Sequence, residues 1–98
     1  MNEKLKNEQM NILMDAILSL SSLEECYAFF EDLCTISELK SMEQRFEVAR
    51  MLKNGMQYTE IVEKTGASTA TISRVNRALL YGADGYATAI RKLRDKKD

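Results

Sequence analysis

The stretch GASTATISRVNRAL, residues 66–79, combines small hydroxyl side chains with arginines in a pattern suited to contact with DNA. Hydroxyl groups form hydrogen bonds with base edges and phosphates. Arginine forms paired hydrogen bonds with the edge of guanine or binds a phosphate. Small residues let a helix backbone come close to the bases in the major groove. The stretch therefore predicts a helix that reads duplex DNA with its N-terminal end. The positions left facing outward are Thr69, Ala70, Ser73, Arg74 and Arg77.

The flanking residues predict a helix-turn-helix over residues 58–81. Ile61, Ile72 and Val75 are spaced to fill the angle between its two helices. Gly66 stands where the turn needs a left-handed backbone, and Ser68 stands at the N-cap of the second helix. Thr59 is the expected cap of the first helix, where phosphates would pass. The full set of predicted DNA contacts is Tyr58, Thr59, Ser68, Thr69, Ala70, Ser73, Arg74 and Arg77.

The rest of the chain predicts an all-α fold, because proline is absent and apolar residues recur every three or four positions. Six helices are expected: about 2–20, a second opening at residue 22, a third from 35 to the Asn-Gly pair at 54–55, and then 60–65, 69–81 and 86–97. We expect one domain over residues 1–98. Residues 1–55 would hold the dimerisation helices, residues 58–81 the helix-turn-helix, and residues 85–98 a last helix with a basic tail.

The second and third helices each open with a capping box. The boxes pair Ser22 with Glu25 and Thr35 with Glu38.

The first two helices carry wide apolar stripes. In a chain of 98 residues, a compact monomer could not easily bury all of this apolar surface. This favours a homodimer formed through the N-terminal helices, the alternative being that these helices pack only within their own domain.

Composition narrows the functional class. Histidine is absent, which removes the usual general base and the commonest metal ligand, and we expect neither an enzyme nor a metal site. Cys26 and Cys34 lack metal or redox spacing and are expected to be reduced, buried thiols of a cytoplasmic protein. No apolar run is long enough to cross a membrane, and the N-terminus lacks the pattern of a signal peptide.

Charge is distributed unevenly along the chain. The net charge of −1 combines −6 over residues 1–44, +1 over residues 45–65 and +4 over residues 66–98. A basic C-terminal part suits a surface turned toward a polyanion, although a lysine-rich tail also serves solubility.

The segment TISELKSMEQRFEVARMLKNGMQYTEIVEKTGASTATISR, residues 35–74, resembles the Trp repressor family, in particular its small YerC/YecD-type members. The resemblance implies a six-helix Trp-repressor-like fold, an intertwined homodimer and a regulator of transcription that binds double-stranded DNA. A repressor is expected, because so short a chain has little surface with which to recruit a polymerase. A module that docks a partner protein through the hairpin, without binding DNA, is the alternative.

The resemblance also bears on a small-molecule effector. It places Thr35, Arg45 and Arg74 where the family's tryptophan site has a threonine and two arginines. The family's glycine after the second arginine is Val75 here, and the valine side chain takes space that the indole ring needs. We therefore expect no response to tryptophan and no cofactor. Another effector stays open. So does a simpler role for Arg45, in pairing with Glu47, Glu43 or an acidic residue of the partner subunit, and for Arg74, in holding a phosphate.

Overall fold

The computed structural model describes residues 2–97, which form helices and short connections with no strand among them. A 3-10 turn, Glu3–Leu5, precedes six α-helices. The helices are α1 (Glu8–Ser19), α2 (Leu23–Leu33), α3 (Ile36–Lys53), α4 (Tyr58–Thr65), α5 (Thr69–Tyr81) and α6 (Gly85–Lys97). The all-α fold and its six helices are confirmed. No helix within these residues is both long and apolar enough to cross a membrane.

The N-terminal helix begins later than the apolar spacing predicts. Asn7 is its N-cap, and the side-chain oxygen of Asn7 accepts the backbone N–H of Met10 at 2.8 Å. Asn2 makes a similar bond to the N–H of Lys4 at 3.0 Å. The predicted single helix over residues 2–20 is therefore wrong, because short amide side chains compete for backbone donors and favour a break.

The two predicted capping boxes form, one of them with a shift. Thr35 Oγ1 accepts the N–H of Glu38 at 3.1 Å, and the Glu38 carboxylate accepts the N–H of Thr35 at 2.8 Å. Ser22 caps α2 by accepting the N–H of Glu25 at 3.1 Å. The Glu25 carboxylate, however, accepts the N–H of Ser21 at 2.7 Å, one residue earlier than a standard box places it.

These hydrogen bonds stabilise the charged form of both glutamates. The backbone N–H and then the hydroxyl of Ser21 hold the pKa of Glu25 below its ordinary value. The same two groups of Thr35 lower the pKa of Glu38.

The chain divides into two compact units between Leu39 and Lys40. In the N-terminal unit, neither α1 nor α2 contains a buried residue. Cys26 and Cys34 are free thiols and only half-buried, so the expectation that they are buried is wrong for this chain by itself. Large apolar side chains of this unit lie exposed: Leu5, Ile12, Met14, Leu18, Leu23, Tyr27, Leu33 and Ile36.

The C-terminal unit holds the hydrophobic core. Val48 and Ala49 from α3 pack with Ile61 from α4 and with Ile72 and Val75 from α5. Half-buried apolar side chains surround this cluster: Met51, Leu52, Met56, Leu79, Tyr86 and Ile90. The core therefore lies where the two helices of the predicted helix-turn-helix meet α3, and it fixes the platform for the candidate site.

Candidate DNA-binding surface

The turn between α4 and α5 has the backbone that its glycine predicts. Gly66 takes the left-handed conformation, with φ of 73° and ψ of 6°, and its N–H donates to the carbonyl of Val62 at 2.9 Å. A Cβ built on Gly66 would meet no atom within 4 Å. The need for glycine is therefore conformational, since left-handed backbone is costly for residues that carry a Cβ.

Three branched side chains set the crossing of α4 and α5, as predicted. Ile61 and Ile72 are fully buried and Val75 is 1% exposed. Ala67, in the turn, is buried beside them. Closely packed aliphatic groups resist a change in the angle between the helices, so the outer face of α5 has a fixed direction.

The start of α5 is capped by Ser68, as predicted. Ser68 Oγ accepts the N–H of Thr71 at 3.1 Å and donates to Thr71 Oγ1 at 3.0 Å. The hydroxyl is thus already engaged as both donor and acceptor. A DNA contact by Ser68 would compete with this cap.

The start of α4 differs from the prediction. The helix begins at Tyr58, with Gln57 at the N-cap position and no side-chain capping bond. Thr59 lies within the first turn, so its predicted role as the cap is wrong. Its hydroxyl, exposed and not engaged in capping, remains available to a ligand, and the Tyr58 side chain is 36% exposed.

The outward face of α5 carries the residues that the sequence assigns to DNA. Thr69, Ala70, Ser73, Arg74 and Arg77 are all exposed. At about 100° per residue, Ala70, Arg74 and Arg77 share one stripe opposite the buried side.

Tyr81 continues this stripe, four residues after Arg77, and is 83% exposed. Tyr81 is not among the predicted DNA contacts, although its spacing from Arg77 places it on the same face of the helix.

The arginines of this face carry uncompensated charge. The ion pairs among the side chains of residues 2–96 join Lys40 to Glu43 at 3.4 Å and Arg50 to Glu47 at 2.7 Å. Neither involves Arg74 or Arg77, and α5 contains no acidic residue. Guanidinium groups without an acidic partner on a fixed helix face are suited to phosphate or guanine.

The residues that the resemblance assigns to a tryptophan site do not form a pocket in the structure described. Val75 directs its side chain into the core, and Arg45 on α3 is half-buried. Glu43 and Glu47 were expected to pair with Arg45. They form ion pairs with Lys40 and Arg50 instead. Thr35 lies in the N-terminal unit, where its hydroxyl and N–H serve the capping box.

A groove of ≈ 460 Å³ lies between α3 and α6. Its lining includes Phe46, Arg50, Ile90 and Arg94, and none of the predicted effector residues. In the part of the chain that the structure describes, no group of three or more potential ligand residues could hold a metal ion.

Comparison with known proteins gives a consistent result. The family model described as Trp repressor protein matches residues 8–94. The uncharacterized protein YerC of Bacillus subtilis (strain 168) is 54% identical over 93 residues, which cover 95% of this chain and 89% of YerC.

Two solved structures share the fold. A TrpR-like protein from Eubacterium eligens superposes with a TM-score of 0.90 at 59% identity, covering 94% of this chain and 95% of that one. A candidate Trp repressor from Staphylococcus aureus gives a TM-score of 0.91 at 49% identity, covering 94% and 92%. The predicted six-helix fold is thereby confirmed, and the chain belongs to the Trp repressor family.

Proposed function

We propose that this protein is a regulator of transcription, without enzymatic activity, that binds double-stranded DNA in a sequence-specific manner. The observation that carries the proposal is the outer face of α5, where hydroxyls, an alanine and two unpaired arginines lie exposed while Ile72 and Val75 anchor the opposite side. Membership of the Trp repressor family supports the same function.

The residues of the surface take different roles. Thr69, Ala70 and Ser73, near the N-terminal end of α5, contact base edges in the major groove. Arg74 and Arg77 bind phosphates or guanine. Tyr58 and Thr59 contact phosphates from the start of α4, and Ser68 chiefly holds the first turn of α5 in place.

The protein acts as an intertwined homodimer, built through helices within residues 1–55. Support comes from the N-terminal unit, where Leu18 is 81% exposed and Ile36 77% exposed, and where neither α1 nor α2 buries any residue. Soluble monomers seldom expose contiguous apolar surface on this scale. A two-fold dimer places its reading helices in successive major grooves about 34 Å apart, so the operator is a near-palindrome. The predicted single domain over residues 1–98 is completed in this dimer.

The regulator does not respond to tryptophan. Val75 is 1% exposed and belongs to the core cluster, so the place of the family's glycine is filled by a packed side chain. Its reading helix is held without an effector or cofactor, and the protein acts as a cytoplasmic repressor.

Selection of bound sequences from a random duplex pool tests the proposal. Enrichment of a near-palindrome with half-sites one helical turn apart is expected. The variant Ser73→Ala should recover an altered motif, and Ser41→Ala, an equally small change on α3, should recover that of the wild type. A pool that is retained but stays random would refute sequence specificity. If no duplex is retained even at low salt, DNA binding is refuted, and a protein-docking role for the hairpin becomes the better account.

A further inference from the structure

Gln44 of α3 reaches across the fold to the turn of the helix-turn-helix. Its side-chain Nε2 donates to the backbone carbonyl of Thr65 at 3.1 Å, a bond between residues 21 positions apart. The other side-chain hydrogen bonds within residues 2–96 join groups no more than four positions apart. It is therefore the one side-chain hydrogen bond of residues 2–96 that joins segments far apart in the sequence.

The acceptor of this hydrogen bond, the backbone carbonyl of Thr65, lies at the C-terminal end of α4, directly before the turn. Thr65 is the last residue of α4, where backbone carbonyls lack partners within the helix. Thr65 Oγ1 donates to the carbonyl of Ile61 at 2.7 Å and accepts the N–H of Ala67 at 3.1 Å. Thr65 thus links α4 to the residues that lead into α5, and Gln44 fixes it from outside the hairpin.

Gln44 lies one helical turn before Val48, which is buried against the same hairpin. The packing of Val48 holds α3 close to α4 and α5 but has little directional preference. The hydrogen bond from Gln44 is directional and fixes the turn at one height along α3. The two contacts together determine both the distance and the orientation of the hairpin.

We propose that Gln44 is a positioning residue for DNA recognition, which sets the direction in which α5 presents Thr69, Ala70 and Ser73. The inference rests on the proposed function, because it concerns how DNA is read. Contacts to base edges demand placement within about 0.5 Å, whereas the general attraction to phosphates tolerates small rotations. Loss of the Gln44 bond therefore weakens binding to the operator more than binding to unrelated DNA.

The test compares variants on the selected operator and on a scrambled duplex at one salt concentration. Gln44→Met keeps the length of the side chain but has no donor, and should lower the operator-to-scrambled affinity ratio by about three- to tenfold. Gln44→Lys restores a donor and should return the ratio toward that of the wild type. Ala89→Met, which places the same side chain at an exposed and uncharged position of α6, should leave the ratio unaltered.

Further outcomes keep the inference falsifiable. Gln44→Asn, which keeps the amide on a shorter side chain, should repeat the loss should Gln44→Met fail to fold by circular dichroism. An unaltered ratio, or equal losses on both duplexes, would overturn the positioning role while leaving the proposed function intact. A wild-type protein that binds no duplex would refute the proposed function, and the role of Gln44 with it.

Discussion

Arg74 and Val75 are adjacent on α5 and face opposite environments: the arginine lies in solvent, and the valine is 1% exposed in the core. The step of about 100° between them leads from the proposed DNA-binding surface to the cluster that holds the helix in place. The resemblance noted in the sequence assigns these two positions to an arginine and a glycine of the family's tryptophan site. The buried valine is therefore the main physical reason to expect a different mode of regulation.

The first prediction concerns tryptophan. Isothermal titration calorimetry of the wild-type protein should give no heat of binding at micromolar tryptophan, since the Val75 side chain already fills packed space. Operator affinity should likewise be the same with and without tryptophan. Saturable micromolar binding would show that the core opens around Val75 and would contradict the proposed regulation.

The second prediction concerns the charge on α5. Arg77→Ala should weaken DNA binding at low salt and lower the magnitude of the slope of log affinity against log salt by about 0.9, because one phosphate contact is lost. Arg91→Ala, an exposed arginine on α6, is the matched control and should leave the slope as in the wild type. Equal slopes for all three proteins would remove Arg77 from the DNA-binding surface.

The third prediction concerns the wedge between α4 and α5. Ile72→Ala should lower the free energy of unfolding by about 2–5 kcal/mol, because Ile72 is fully buried and its truncation leaves a cavity. Leu80→Ala, on the same helix but 63% exposed, should cost much less. Chemical denaturation monitored by circular dichroism measures both. Similar losses would mean that the Leu80 side chain is covered in solution, as an interface would cover it.

The fourth prediction concerns pH. The pKa of Glu38 is lowered from 4.5 by the N–H and hydroxyl of Thr35, so its charged form is favoured by folding. Its stabilising effect is complete above the ordinary pKa and is lost as pH falls through the lowered value of the folded state. Glu38→Gln should therefore flatten the dependence of unfolding free energy on pH in this acidic range.

Acid titration of stability, followed by circular dichroism, measures this effect. Glu31→Gln serves as the control, because the Glu31 side chain forms no hydrogen bond within the described residues. An acid profile of Glu38→Gln that coincides with the wild type would show that the capping box of Thr35 does not persist in solution.

Local features of this protein could be predicted from its sequence because they depend on residues that are neighbours in the chain. The caps at Ser22, Thr35 and Ser68 and the left-handed turn at Gly66 each involve residues at most four positions apart. The start of α4 was misplaced by contrast, because Thr59 is the better capping residue by type, yet the helix begins at Tyr58 without a side-chain cap.

The helical periodicity, most of the caps and the outward face of α5 follow from side-chain type and spacing along the chain. The contact of Gln44 with the carbonyl of Thr65, and the packing of Val75 with Val48 and Ile61 in one core, do not follow from spacing. Both depend on where α3 lies against the hairpin. Periodicity gives the face that a helix buries but leaves open which distant residue meets it, because that choice is made by the packing of several helices at once.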